Sequence, residues 1–383
     1  MKIAILTIPL NHNYGGNLQN YALQVTLKNM GHTPVTVNYK KGVRRSFARR
    51  YLSRIKRSLL TNKMQPPYKI TEEEGILIEK NHANFIKEYI IISDGFYSEG
   101  ELKEFFYKEK FDAVIVGSDQ VWRPKYTPKI DPFFFSFLKG DDEIIKIAYG
   151  ASFGTDVWEY TPEEMSICGN LIKDFDFVSV RESLGVEMCQ KHFNISAEHV
   201  LDPTLLLNKK DYIDVLKRKD LPDNKGKIFN YILDSSGDKK ELMLRVSEVL
   251  GKETFSTYPY KTIKDSFKIN DIENYQYPPV EAWIKSFYDA DFVVTDSFHG
   301  TVFSIIFNKP FIAISNKARG AARFTSLLKM FGLENRLVSD FADVNAEIIN
   351  TSIDFDRVNA ILESSKETSI NLIRKALDIK KYK

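Results

Sequence analysis

Cysteine is nearly missing from this 383-residue chain: Cys168 and Cys189 are the only two, without the paired spacing of a metal site or redox motif. Nothing therefore calls for an oxidising compartment, and the cytoplasm is the expected location. No run of about 18 apolar residues occurs, which excludes a membrane-spanning helix. The formal net charge is only +3, too small to imply a nucleic-acid partner. Internal repeats and low-complexity tracts are also lacking. The opening apolar run Met1–Leu10 is broken by Pro9 and followed at once by Asn11-His12-Asn13-Tyr14-Gly15-Gly16, so it reads as a first strand rather than a signal peptide.

Metal ligands are scarce as well. Asp174 with Asp176, Asp289 with Asp291, and Asp354 with Asp356 are spaced Asp-x-Asp. The first two pairs precede strands, at the sheet edge opposite a ligand cleft, and the third opens the terminal helix as a cap would. No metal and no cofactor is expected.

What the chain does have is length for two domains and 43% hydrophobic residues, the composition of a globular protein. Strand candidates alternate with helices: Lys2–Ile8, a helix Leu18–Met30, Pro34–Tyr39, Ala113–Val116, Lys146–Tyr149, a helix Pro162–Asp174, Phe177–Val180, a helix Ser183–Lys191 and a strand near His199–Leu201. A stretch rich in Lys and Asp follows, then a second series: Ile228–Leu233, a helix Lys239–Leu250, a helix Trp283–Tyr288, Ala290–Thr295, a helix Thr301–Phe307 and Pro310–Ile314. This is an α/β pattern of two Rossmann-like, doubly wound domains. Their expected bounds are 1–207 and 228–355, joined by a linker at 208–227, with a terminal helix in 356–383 packing back on the first domain across a cleft.

Charge is unevenly spread. Lys40 to Arg57 holds nine basic residues and no acidic one, either a solvated face or a patch for peripheral contact with an anionic membrane.

In such sheets ligands bind beyond the carboxyl ends of the strands, where helix N-termini attract anions. Val293-Val294-Thr295-Asp296-Ser297-Phe298-His299-Gly300 delivers Asp296, Ser297 and His299 to that edge, with Gly300 read as a tight turn, and imidazole is the side chain best suited to exchanging protons near neutral pH. After the first strand, Asn13, Tyr14, Gly15, Gly16 and Gln19 can meet an anion or sugar, although this is no dinucleotide fingerprint. Gly117-Ser118-Asp119-Gln120-Val121-Trp122 brings Asp119 and Gln120 to the same edge, where Trp122 either stacks on a sugar or fills the core. Arg181 and Glu182 end another strand, where a guanidinium can hold a phosphate or carboxylate. Lys317, Arg319 and Arg323 form a second anion clamp.

Five segments in order, Asn13 to Gln24, Gly117 to Trp122, Ser179-Val180-Arg181-Glu182, Asp202-Pro203-Thr204 and Ser297-Phe298-His299-Gly300, resemble the polysaccharide pyruvyl transferase family over Met1 to about Leu333. The resemblance implies a fold similar to the GT-B glycosyltransferases. It also implies transfer of a pyruvyl group from phosphoenolpyruvate to two hydroxyls of one sugar, forming a cyclic ketal in cell-surface polysaccharide biosynthesis. The acceptor would be a polysaccharide or its lipid-linked or nucleotide-linked precursor. Arg181 matches the family arginine for the donor, His299 would be the acid or base, and Asp119 its first-choice partner ahead of Glu182 and Asp296. One position departs: many family members carry Arg two residues before the motif His, where this chain has Ser297, so either Lys317, Arg319 or Arg323 supplies the missing cation or the pocket accepts a different donor. The competing readings are a GT-B-like glycosyltransferase using a nucleotide sugar and a non-catalytic glycan-binding relative.

Overall fold

A computed structural model describes residues 1–40, 70–127, 129–216, 220–234, 237–261, 271–315, 320–339 and 344–379. The basic stretch 40–57 falls outside them apart from Lys40, whose ammonium lies 5.8 Å from the Tyr97 ring centroid.

The strands form two parallel sheets. The first contains β1 (Lys2–Leu6), β2 (Thr33–Tyr39), β3 (Ile92–Phe96), β4 (Ala113–Val116), β5 (Ile145–Ala151), β6 (Phe177–Val180) and β7 (Glu198–His199), in the order β3-β2-β1-β4-β5-β6-β7. The second contains β8 (Ile228–Tyr231), β9 (Thr254–Phe255), β10 (Phe292–Thr295), β11 (Phe311–Ile314) and β12 (Leu337–Val338), in the order β12-β11-β10-β8-β9. Central strands such as β4 and β10 are buried at every residue, so they read as unbroken apolar runs rather than alternating ones. In each sheet the order reverses at one place, between β1 and β4 and between β8 and β10, and that reversal opens a crevice at the strand ends.

A continuous apolar core ties the sheets together, running from Ile3 and Ile5 through Leu18 and Tyr212 to Val293 and Phe303. Polar clasps reinforce it: Asn81 donates to the Tyr277 carbonyl at 2.8 Å, and the Ser183 amide donates to Ser326 Oγ at 2.9 Å. The terminal helix Phe355–Asp378 is amphipathic; its Ser369 hydroxyl accepts from the Leu201 amide at 3.1 Å, and Lys366 donates to Asn208 at 2.6 Å. Asp354 caps it by accepting from the Arg357 amide.

Some elements differ from the sequence reading. The stretch read as a linker holds the helix Lys209–Leu216, with Tyr212 and Val215 buried, because an i, i+3 apolar pair outweighs the surrounding charge. Gly300 is not a turn. It lies inside the helix Phe298–Ile306, which starts three residues earlier than expected because Ser297 caps it, its oxygen accepting from the Gly300 amide at 3.3 Å. The first helix, Tyr14–Asn29, likewise includes the glycine pair, because Asn13 accepts from the Gly16 amide at 3.1 Å.

Candidate active site

The carboxyl edges of the two sheets face each other, and the sequence motifs meet there. Thr295 ends β10 and donates its hydroxyl to the Tyr231 carbonyl at the end of β8. A Cβ on Gly300 would come within 2.2 Å of Thr295 Oγ1, so only glycine lets the next helix sit this close beneath the strand. That close seat carries Phe298 and His299 to the first sheet.

Gly15 receives His299. A Cβ at Gly15 would stand 2.0 Å from His299 Nδ1, so the imidazole rests directly on the backbone of the first helix. Gly15→Ala is therefore expected to push the ring out of position and remove most turnover while shifting the thermal midpoint only slightly. Near-normal turnover in that variant would show that the ring's seat is irrelevant to function.

On its other side, His299 Nε2 lies 3.7 Å from Asp202 Oδ2, too long for a hydrogen bond, and that nitrogen makes none. Asp202 is held firmly. Its Oδ1 accepts from the Thr204 amide and hydroxyl at 3.0 and 2.6 Å, and its Oδ2 accepts from Ser118 Oγ at 3.0 Å and Arg181 Nη1 at 2.6 Å. Burial alone would raise this carboxyl, but His299, Arg181 and Thr204 hold it well below the usual carboxylate range.

Arg181 is enclosed, with no exposed side-chain surface. Besides Asp202 it meets Glu182 at 3.4 Å and Asp119 at 3.6 Å, and its Cζ lies 4.6 Å from the Phe298 ring centroid. Its Nη2 makes no hydrogen bond. Burial works against its charge, and the three carboxylates more than offset that. Glu182 accepts a very short hydrogen bond from Ser152, and its carboxyl is nevertheless raised, by burial. Arg323 also lies against Phe298, 5.7 Å from the centroid, and is pushed down to about 10 by burial and by neighbouring Arg181. Two buried guanidiniums thus share one aromatic ring beside the histidine.

A family model described as polysaccharide pyruvyl transferase matches residues 13–318. The chain belongs to the polysaccharide pyruvyl transferase family. No curated protein sequence matches it. Among solved structures, Arabidopsis thaliana UGT89C1 complexed with UDP-L-rhamnose is similar with a TM-score of 0.53 at 9% identity over 98% of both chains. UDP-GlcNAc 2-epimerase from Neisseria meningitidis bound to UDP-GlcNAc scores 0.50 at 11% identity, over 99% of this chain and 98% of that one. The Methanocaldococcus jannaschii UDP-GlcNAc 2-epimerase scores 0.50 at 14%, over 98% and 99%. These likenesses show the fold, which is GT-B-like.

The other residues this pyruvyl transferase family member was expected to use are placed differently. Trp122 has no exposed surface; it stacks on Phe134 at 4.9 Å and donates to the Phe133 carbonyl, so its ring fills the core and offers no sugar platform. Gln19 turns inward to Thr7 Oγ1 and the Gly16 carbonyl, at 3.2 and 3.0 Å, and braces the turn rather than reaching a ligand. Tyr14 joins the halves, stacking on Trp283 and donating its hydroxyl to the Pro278 carbonyl. Asn13 and Ser297 are occupied as helix caps. Gln120 accepts from Arg123 at 3.0 Å. Asp296 accepts from the Leu233 and Asp234 amides and from Lys239, which makes it the brace of the β8 loop rather than a partner of His299. Asp119 pairs with Arg181 and adopts φ of +73°, a left-handed strain held in place by its surroundings. Lys317 and Arg319 lie outside the described residues. Among the described residues no group of His, Cys, Asp and Glu could hold a metal. No described helix is long and apolar enough to cross a membrane.

Ser118, Asp202 and Phe298 are the residues missed as site members. Asp202 had a signal, since Asp-Pro-Thr is a helix-start pattern placed directly after a strand.

Proposed function

We propose that this cleft, between a first domain ending near residue 207 and a second beginning near 228, transfers a pyruvyl group from phosphoenolpyruvate to two hydroxyls of one sugar. The observation that carries this reading is the pair of buried guanidiniums, Arg181 and Arg323, sharing Phe298 next to His299. Three carboxylates offset Arg181, but at Arg323 burial and repulsion by Arg181 prevail, which favours an anion there, and phosphoenolpyruvate brings both a phosphate and a carboxylate. Arg323 is the donor contact and supplies the cation that Ser297 lacks, while Arg181, enclosed among Asp202, Glu182 and Asp119, holds the carboxylates beside it.

The chemistry needs a proton delivered to the methylene carbon and one removed from each hydroxyl. The first hydroxyl oxygen bonds to the central carbon as the methylene becomes a methyl group. The carbon–oxygen bond to phosphate then breaks, the second hydroxyl oxygen closes the ketal, and its proton leaves with phosphate. His299, seated on Gly15 and faced by Asp202, moves the proton. The acceptor is a surface polysaccharide or its lipid-linked precursor.

Calorimetric titration of phosphoenolpyruvate into the wild type and Arg323→Gln tests the donor, with uridine diphosphate as comparison. Binding should be saturable and roughly ten- to a hundredfold weaker in the variant, as for loss of a charge-assisted contact. Absence of phosphoenolpyruvate binding beside tight uridine diphosphate binding would replace this reading with a nucleotide-sugar transferase.

A further inference from the structure

We propose that Tyr126 is the platform on which the apolar face of the acceptor sugar stacks, an assignment that rests on the pyruvyl-transfer reading above. The short turn Pro124–Tyr126 follows the β4 segment that carries Ser118 and Asp119 to the site. Its tyrosine ring is 39% exposed, whereas Trp122, four positions earlier, has no exposed surface.

Exposure alone says little, since Tyr107 and Tyr260 are more exposed still, at 88% and 92%. Tyr126 differs in how it is held. The Arg123 guanidinium lies 4.7 Å from its ring centroid, and that arginine is itself nearly buried. Arg123 is fixed by Glu159 through Nε and Nη2, both at 3.1 Å, and by Gln120 through Nη1 at 3.0 Å. The Tyr126 amide donates to the Arg123 carbonyl at 2.9 Å. A ring backed by a locked cation pays little ordering entropy when a ligand settles on it, which is the property expected of a carbohydrate platform.

Position supports the same assignment. Gln120, which accepts from Arg123, lies against the backbone of Gly154, and the Gly154 carbonyl in turn lies against Gly320, three residues before Arg323, so a sugar resting on the ring is on the donor side of the cleft. The chemistry requires two hydroxyls of one ring to reach a single carbon, and a flat contact on one face is a direct way to fix that orientation.

The test uses methyl β-galactoside, methyl β-glucoside, methyl α-mannoside and methyl N-acetyl-β-mannosaminide as probes, read by saturation-transfer NMR on the full chain. Wild type and Tyr126→Phe should bind at least one of them, Tyr126→Ala should bind it about five- to tenfold more weakly, and Tyr107→Ala should match wild type. Equal affinity in Tyr126→Ala, or no binding of any probe by the wild type, overturns the platform. Calorimetry with phosphoenolpyruvate on the same samples keeps the two readings apart. An unchanged donor isotherm with weakened sugar binding supports the platform, and sugar binding that needs Tyr126 in a protein blind to phosphoenolpyruvate sinks pyruvyl transfer alone.

Discussion

Arg181→Ala is expected to destabilise the protein by about 3 to 5 kcal/mol, the usual cost of removing one partner from a buried ion cluster. The sequence suggests a donor-binding arginine whose loss would chiefly weaken ligand affinity. The structure gives it a second task, because Asp202, Glu182 and Asp119 all face this one guanidinium inside the protein. Without it, Asp202 would stay ionised against Ser118 and Thr204 with only His299 for compensation, and Glu182, already raised by burial, would take up a proton. Urea unfolding followed by tryptophan fluorescence checks this. A double variant, Arg181→Met with Asp202→Asn, should recover part of the loss, since it removes both charges rather than stranding one. A single variant of wild-type stability that merely fails to bind phosphoenolpyruvate would make Arg181 a ligand contact and nothing more.

Much of the fold was readable in the chain because parallel strands buried on both faces are short apolar runs: β4 and β6 were expected at the residues where they occur. By contrast β3, Ile-Ser-Asp-Gly-Phe, is half exposed along its length and carries no such signal. The helices Glu72–Tyr89 and Glu99–Glu109 carry a local signal outside the strand–helix alternation: each opens with a capping box, Thr71 with Glu74 and Ser98 with Glu101. The glycines misled in a consistent way. Gly15 and Gly300 suggest turns, yet each sits in the first turn of a helix capped by Asn13 or Ser297, and each is small because another group presses on it.

The site was half legible for a related reason. Strand-end position puts Arg181 and His299 forward, and the structure brings both to one cluster. Which carboxylate faces the histidine depends on how two separate sheets meet, and nothing local in sequence encodes that. Asp119 looked suitable and turned to Arg181, whereas Asp202, reached through a β7 strand of only Glu198–His199, stands opposite the ring.

His299→Ala is expected to lower turnover by a factor on the order of 10² to 10⁴, the range for losing a positioned general acid or base, with the unfolding midpoint little changed. Its Nε2 makes no hydrogen bond, and without the ring Asp202 keeps Arg181, Ser118 and Thr204, so the removal leaves that carboxylate paired. Turnover is measured as phosphate released from phosphoenolpyruvate with a polysaccharide acceptor present. Carrying the reaction in deuterium oxide adds a second readout, because solvent deuterium must appear in the ketal methyl group if the methylene carbon is protonated. Asp202 stands opposite the same ring, 3.7 Å from Nε2, with its own carboxyl held ionised by its neighbours. Asp202→Asn keeps the side chain's shape and removes that charge, so turnover should fall while the methyl group still takes up solvent deuterium. Since Asp202 also compensates Arg181, the loss must be read in protein shown to be folded. Wild-type turnover in folded Asp202→Asn would return Asp202 to the role of structural anchor and leave His299 to act without it.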